Sequence, residues 1–174
     1  KLIVGDPQDH ESNLGAVSSK NHFNKILNYI KLAEKEGGEI LFGGKALKLS
    51  GRCKKGWFIE PTIIEGLNNN AKTNQEEIFG PVVTLIPFDN EEDAIQIANE
   101  SDYGLSATIW TEDKERATRV SNQVEAGVIW VNCWLVRDLR TPFGGMKQSG
   151  MGREGGSEAL RFFTEQKNVC TSIA

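Results

Sequence analysis

Four groups of residues have the types and spacing for chemistry. A glycine-rich run, Gly150-Met-Gly152-Arg-Glu-Gly155, is a literal GxGxxG. A dinucleotide fingerprint also needs a strand entering the turn and a ribose-binding acid about 20 residues on. The preceding Gly144-Gly145-Met-Lys-Gln-Ser is no strand, and the chain ends before such an acid, so a stand-alone nucleotide-binding reading is set aside. No GxxxxGK[ST] loop is present. The three cysteines, Cys53, Cys133 and Cys170, are an odd number of potential nucleophilic thiols. The absence of CxxC spacing, with His10 and His22 as the two histidines, leaves no zinc set, and no metal is expected. Glu77, when ionised, offers two oxygens able to accept hydrogen bonds from vicinal ribose hydroxyls. On the sequence alone a solvated loop acid is the favoured reading. Arg137 carries a guanidinium fork that binds carboxylates bidentately. The alternative is that it pairs with Asp138 or a neighbouring carboxylate and shapes its loop.

The elements that must position these groups alternate in period. Residues 19–36 carry Phe23, Ile26, Leu27, Ile30 and Ala33 at three- and four-residue spacing, and Gly37-Gly38 ends this amphipathic helix. Residues 39–42 are expected as a short strand, 57–65 as extended, and 81–88 as the strongest strand. Asn90 is expected to cap a helix whose acidic first turn, Glu91-Glu92-Asp93, suits the positive end of the helix dipole. Residues 105–110 read as a strand, Thr111 as the cap of the next helix, and 128–131 as a buried strand. The glycine loop spans 143–156, a short helix about 157–164, and a final strand 168–173. This alternation predicts one α/β domain with a largely parallel sheet flanked by helices.

Length and charge narrow the classes. The 174 residues suffice for a sizeable core, and 20 Lys+Arg against 24 Asp+Glu give a net charge of −4. Basic residues are scattered, which argues against nucleic acid or an anionic membrane as partner. No apolar run approaches the roughly 20 residues needed to cross a bilayer. The opening Lys1-Leu-Ile-Val-Gly-Asp-Pro7 reads as the middle of a longer protein, and free thiols suit a cytosolic or organellar-matrix compartment.

Six motifs occur in order: Gly5-Asp6-Pro7; Phe58-Ile59-Glu60-Pro61-Thr62; Gln75-Glu76-Glu77-Ile78-Phe79-Gly80-Pro81; Tyr103-Gly104-Leu105-Ser106-Ala107; Gly127-Val-Ile-Trp-Val-Asn132; and Pro142-Phe-Gly-Gly-Met-Lys147-Gln-Ser-Gly150 with Gly152-Arg-Glu-Gly155. Together they resemble the aldehyde dehydrogenase superfamily over essentially the whole chain, as the carboxy-terminal portion of its catalytic domain. The wording around Arg137, Val131 to Lys147, is most similar to the 2-aminomuconic and 2-hydroxymuconic semialdehyde dehydrogenases.

The resemblance implies an NAD-dependent oxidoreductase. In that family a cysteine thiolate attacks the aldehyde, hydride leaves for the nicotinamide, and a Glu-activated water releases the acid. The matching nucleophile, base, oxyanion-holding Asn and phosphate-binding loop all lie upstream of the region matched. No catalytic residue is therefore expected in this chain, which alone should be inactive, and Cys133 is expected to be a bystander like Cys53 and Cys170.

By the same resemblance Glu77 holds the nicotinamide ribose and Phe79 packs near the nicotinamide. Phe143 and Trp134 line the aldehyde site, and Arg137 anchors the far carboxylate of an acid-tailed semialdehyde. Lys147 and Arg153 brace the glycine loop. A homo-oligomeric, cytoplasmic parent of the kynurenine-pathway type follows, with a small aldehyde as its partner. The runner-up substrate is retinal or another apolar aldehyde. From another class, the chain would be a non-catalytic assembly module docking through its last strand.

Overall fold

The computed structural model describes residues 2–173. The chain divides into two compact units, 1–87 and 88–174.

The first unit is built on helix α1 (Lys20–Lys35). Ser19 caps it by accepting a hydrogen bond from the His22 amide. Strands β1 (Glu39–Phe42), β2 (Ala46–Leu47), β3 (Phe58–Ile59) and β4 (Thr62–Glu65) follow, then the single turn α2 (Lys72–Gln75) and β5 (Val82–Leu85). The main sheet has the order β1-β4-β5. β4 and β5 run parallel, with Thr62 opposite Val82 and Glu65 opposite Leu85, while β1 is antiparallel to β4. The apolar stripe of α1 is what the helical period required. Ile26 and Ile30 bury against Ile59, and Ala33 buries with Ile64 and Leu67. Each fully buried large aliphatic side chain contributes roughly 1.5–3 kcal/mol, so this packing outweighs any preference of the four-residue strands.

The second unit contains α3 (Glu91–Asn99), β6 (Tyr103–Gly104), β7 (Ser106–Ile109), α4 (Lys114–Gln123), β8 (Val128–Val131), β9 (Met146–Lys147) and α5 (Gly156–Phe163). β7 and β8 pair in parallel around α4, a βαβ unit, and β6 pairs antiparallel with β9. Asn90 caps α3 as expected, accepting from the Asp93 amide at 2.9 Å.

Three expectations are corrected. The α/β alternation is present, but the strands form small separate sheets in which β4–β5 and β7–β8 are parallel and the other pairings antiparallel. Hydrophobic period locates a strand without stating its direction. The cap of α4 is Asp113, whose carboxylate accepts from the Glu115 and Arg116 amides, while Thr111 is tied to Asn132. Residues 165–173 form no strand. Their loose alternation finds no strand to pair with among the described residues.

Candidate functional site

Glu77 and Phe79 lie between α2 and β5, and the polar face of α1 holds their main chain. His22, Lys25 and Tyr29 recur at helical spacing and so share that face. The His22 ring nitrogen Nε2 meets the Phe79 carbonyl at 2.6 Å, and the Lys25 ammonium donates to the Glu77 carbonyl at 2.6 Å. The Tyr29 hydroxyl donates to the Glu76 carboxylate, which also pairs with Lys72. The Tyr29 hydrogen bond outweighs desolvation and, with Lys72, holds the Glu76 carboxyl below its usual range.

This clamp takes the carbonyls of Glu77 and Phe79 but leaves the Glu77 carboxylate exposed, with no hydrogen-bond partner among the described residues. Its two oxygens can accept from the paired hydroxyls of a ribose, so the acceptor chemistry fits the ribose of a nicotinamide nucleotide. The Phe79 ring is 74% exposed beside the His22 ring, on a backbone with φ of 57°. A cleft of about 550 Å³ opens beside it, bounded by Leu14, Val17, Ile59, Phe79 and Pro81. The Phe79 ring thus stands at the rim of this cleft, exposed on left-handed backbone rather than buried in the core.

The described non-glycine residues with positive φ are Phe79, Asn132, Leu135 and Lys147. Phe79, Asn132 and Lys147 fall in the sequence motifs and Leu135 in the loop after β8, so backbone strain gathers around these segments.

In the second unit, Trp130 anchors the loop after β8 by donating its indole N–H to the Val136 carbonyl at 2.8 Å. Arg137 follows directly. Its guanidinium lies 4.1 Å from the centroid of the Phe143 ring and pairs with Glu154 at 2.6 Å. Phe143 and Glu154 are themselves locked by two reciprocal backbone hydrogen bonds of 2.8 Å. The carboxylate expected nearest in sequence, Asp138, is taken by Arg140, whose hydrogen bonds hold it below the usual carboxylate range. The paired alternative for Arg137 is thus present in part: one N–H group is engaged by Glu154, and the side chain remains 44% exposed.

Trp134 is 69% exposed on the same loop. The glycine run packs where any side chain would collide, since a Cβ on Gly127 would lie 1.6 Å from the Gly144 carbonyl oxygen. Arg153 donates to the carbonyls of Gly145 and Gly152, and Lys147 to those of Asn99 and Ser101, so both brace the loop as expected.

Cys133 is half-buried, with no base hydrogen-bonded to it among the described residues, and Cys53 and Cys170 are also free. No cluster of three metal-ligating side chains occurs among the described residues, and no described helix is long and apolar enough to cross a membrane. The sequence reading missed Glu154 and the α1 clamp of His22, Lys25 and Tyr29. The acid in Gly152-Arg-Glu-Gly155 and the polar i, i+3, i+7 stripe were the available signals.

These site features belong to a family of oxidoreductases. Residues 1–169 match the aldehyde dehydrogenase family, and the chain is a member of it. It is 48% identical over 172 residues to a 2-hydroxymuconic semialdehyde dehydrogenase from a Pseudomonas species, covering 99% of this chain and 35% of that protein. It is 49% identical over 168 residues to the 2-aminomuconic semialdehyde dehydrogenase of Danio rerio, covering 95% and 34%. Among solved structures, it matches a cysteine-to-alanine variant of the P. syringae indole-3-acetaldehyde dehydrogenase in complex with NAD+ and IAA, with TM-score 0.89 and 40% identity over 95% of this chain and 33% of that one. The Staphylococcus aureus betaine aldehyde dehydrogenase in complex with NAD+ matches with TM-score 0.86 and 40% identity, over 93% and 32%. The chain spans about a third of the length of the curated relatives it matches.

Proposed function

We propose that these residues form part of an NAD-dependent dehydrogenase that oxidises an acid-tailed semialdehyde to the carboxylic acid. Glu77 accepts the nicotinamide ribose hydroxyls, and Phe79 packs beside the ring. NAD, when bound, supplies the hydride acceptor. Arg137 binds the far carboxylate of the substrate, with Phe143 and Trp134 excluding water around the aldehyde. The nucleophilic thiol and the base come from outside this chain, which alone turns over nothing. A homo-oligomeric, cytoplasmic parent belongs to the same proposal.

The observation that carries the substrate class is a half-exposed guanidinium stacked on Phe143, with donors left over after Glu154. Identity with semialdehyde dehydrogenases over nearly the whole chain supports it. The test is NADH formation by the full-length parent on a six-carbon acid-tailed semialdehyde and a neutral aldehyde of equal length. One charged hydrogen bond, roughly 1.5–3 kcal/mol, predicts about a ten- to hundredfold preference in kcat/KM for the acid. Equal values would defeat the reading.

A second reading draws on the exposed apolar side chains of Trp134, Leu135, Val136 and Leu139. They would suit retinal or another long apolar aldehyde, and preference for the neutral substrate in the same assay would favour it. The assembly-module reading rests on the exposed, unpaired tail with Val169 and Ile173. It requires co-elution of the 174 residues with full-length subunits.

A further inference from the structure

Glu154 sits in the glycine loop, beside the contact of Arg137 with Phe143. Its position is fixed by the main chain: its amide and carbonyl both bond Phe143, at 2.8 Å each. Gly155, at φ of 88°, follows it with an ideal Cβ position only 2.3 Å from the Thr141 carbonyl oxygen, so the backbone beside Glu154 has little freedom. From this seat its carboxylate reaches across to Nη2 of Arg137 at 2.6 Å.

The pairing is single rather than forked. No hydrogen bond joins Nε or Nη1 of Arg137 to a described residue, and the guanidinium carbon sits 4.1 Å from the Phe143 centroid. One donor is therefore used for orientation, the ring face supports the cation, and the remaining N–H groups stay free. An arginine on an exposed loop samples many rotamers, and each donor held in place before binding lessens the entropy lost when a ligand arrives.

We propose that Glu154 is the positioning residue for substrate specificity: it holds Arg137 over Phe143 with its unused N–H groups presented to the distal carboxylate of the semialdehyde. This rests on the reading of Arg137 as the carboxylate anchor. Glu154 acts through Arg137 and touches no reacting atom.

The experiment uses the full-length parent carrying Glu154→Ala or Glu154→Gln, with kcat and KM measured separately on the acid-tailed and the neutral aldehyde. Binding of adipate, a six-carbon dicarboxylate probe, is followed by calorimetry without cofactor. The amide of the Gln variant still accepts a hydrogen bond from Arg137, so it should retain the acid-over-neutral ratio of kcat/KM. The Ala variant should lower that ratio by about three- to tenfold, the scale of a partly exposed ion pair and its ring contact. The loss should fall on KM for the acid, with adipate weakened in proportion.

A rise in the ratio in Glu154→Ala would mean that Glu154 merely competes with the substrate, and would overturn the proposal. Equal loss of kcat on both aldehydes would assign it to the chemical step and overturn it as well. If the Ala variant does not fold, Glu154→Asp withdraws the carboxylate by one methylene and should lower the ratio likewise; an unchanged ratio there is contrary. Absence of any acid preference in the unaltered enzyme would instead refute the anchor reading itself, so the two failures are distinct.

Discussion

Lys25 donates its ammonium to the main-chain carbonyl of Glu77 at 2.6 Å, while the carboxylate of Glu77 stays exposed and unpartnered among the described residues. Backbone and side chain of one residue thus have separate tasks. The carbonyl fixes the segment to α1, and the carboxylate stays exposed and available to a ligand.

From that division, Glu77→Gln in the full-length parent should raise KM for NAD roughly tenfold or more, since charge-assisted hydrogen bonds become neutral ones. Folding should be little affected because the carbonyl contact is kept. Steady-state kinetics at saturating aldehyde, with a thermal melt as control, measure both.

Acid stability of the first unit should depend on Glu36. Its carboxylate accepts from the Lys72 and Thr73 amides and the Thr73 hydroxyl, at 2.8, 3.2 and 2.6 Å, and so caps α2. Desolvation pushes its pKa up, but the Thr73 and Lys72 contacts together push it further down, leaving it lowered. A lowered folded value means that the stabilisation is present above the ordinary glutamate value of about 4.3. It is lost as pH falls through the depressed folded value. Melting temperature against pH should therefore drop more steeply on the acid side in the natural chain than in Glu36→Gln, which should also melt lower at neutral pH.

Much of this was legible from the residues, and the limits have physical reasons. The helical stripe of α1 and the acidic first turn of α3 are local patterns and appeared where expected. Glu77, Phe79, Arg137 and Phe143 were found as members of motifs. What holds them was hidden, because contacts such as His22 to Phe79 and Lys25 to Glu77 join residues 57 and 52 positions apart. Arg137 and Glu154 are separated by 17 positions, and the Phe143–Glu154 backbone bridge helps bring them together. The tail at 168–173 misled because alternation says nothing about whether a strand edge is there to receive it.

Gly127→Ala should damage the second unit. The new methyl would meet the Gly144 carbonyl oxygen at 1.6 Å, so β8 and the glycine loop must separate. Overpacking against backbone costs roughly 1–3 kcal/mol or more. A fall of several degrees in Tm, with weakened acid preference as Phe143 shifts, is the expected result in the parent.

Cys133 should be dispensable. Cys133→Ser in the full-length parent should keep kcat within about twofold, because no hydrogen-bonded base activates this thiol as a nucleophile would require. Loss of NADH formation, or turnover by the 174 residues alone, would locate the nucleophile here.

The most direct test of the central claim is Arg137→Ala in the full-length parent, comparing kcat/KM for an acid-tailed semialdehyde and a neutral aldehyde of equal length. The account predicts that an initial preference for the acid collapses by about ten- to a hundredfold, while the neutral substrate changes far less. Persistence of the preference without Arg137 would contradict it, and would reduce the Arg137–Glu154 pair to a brace for the loop.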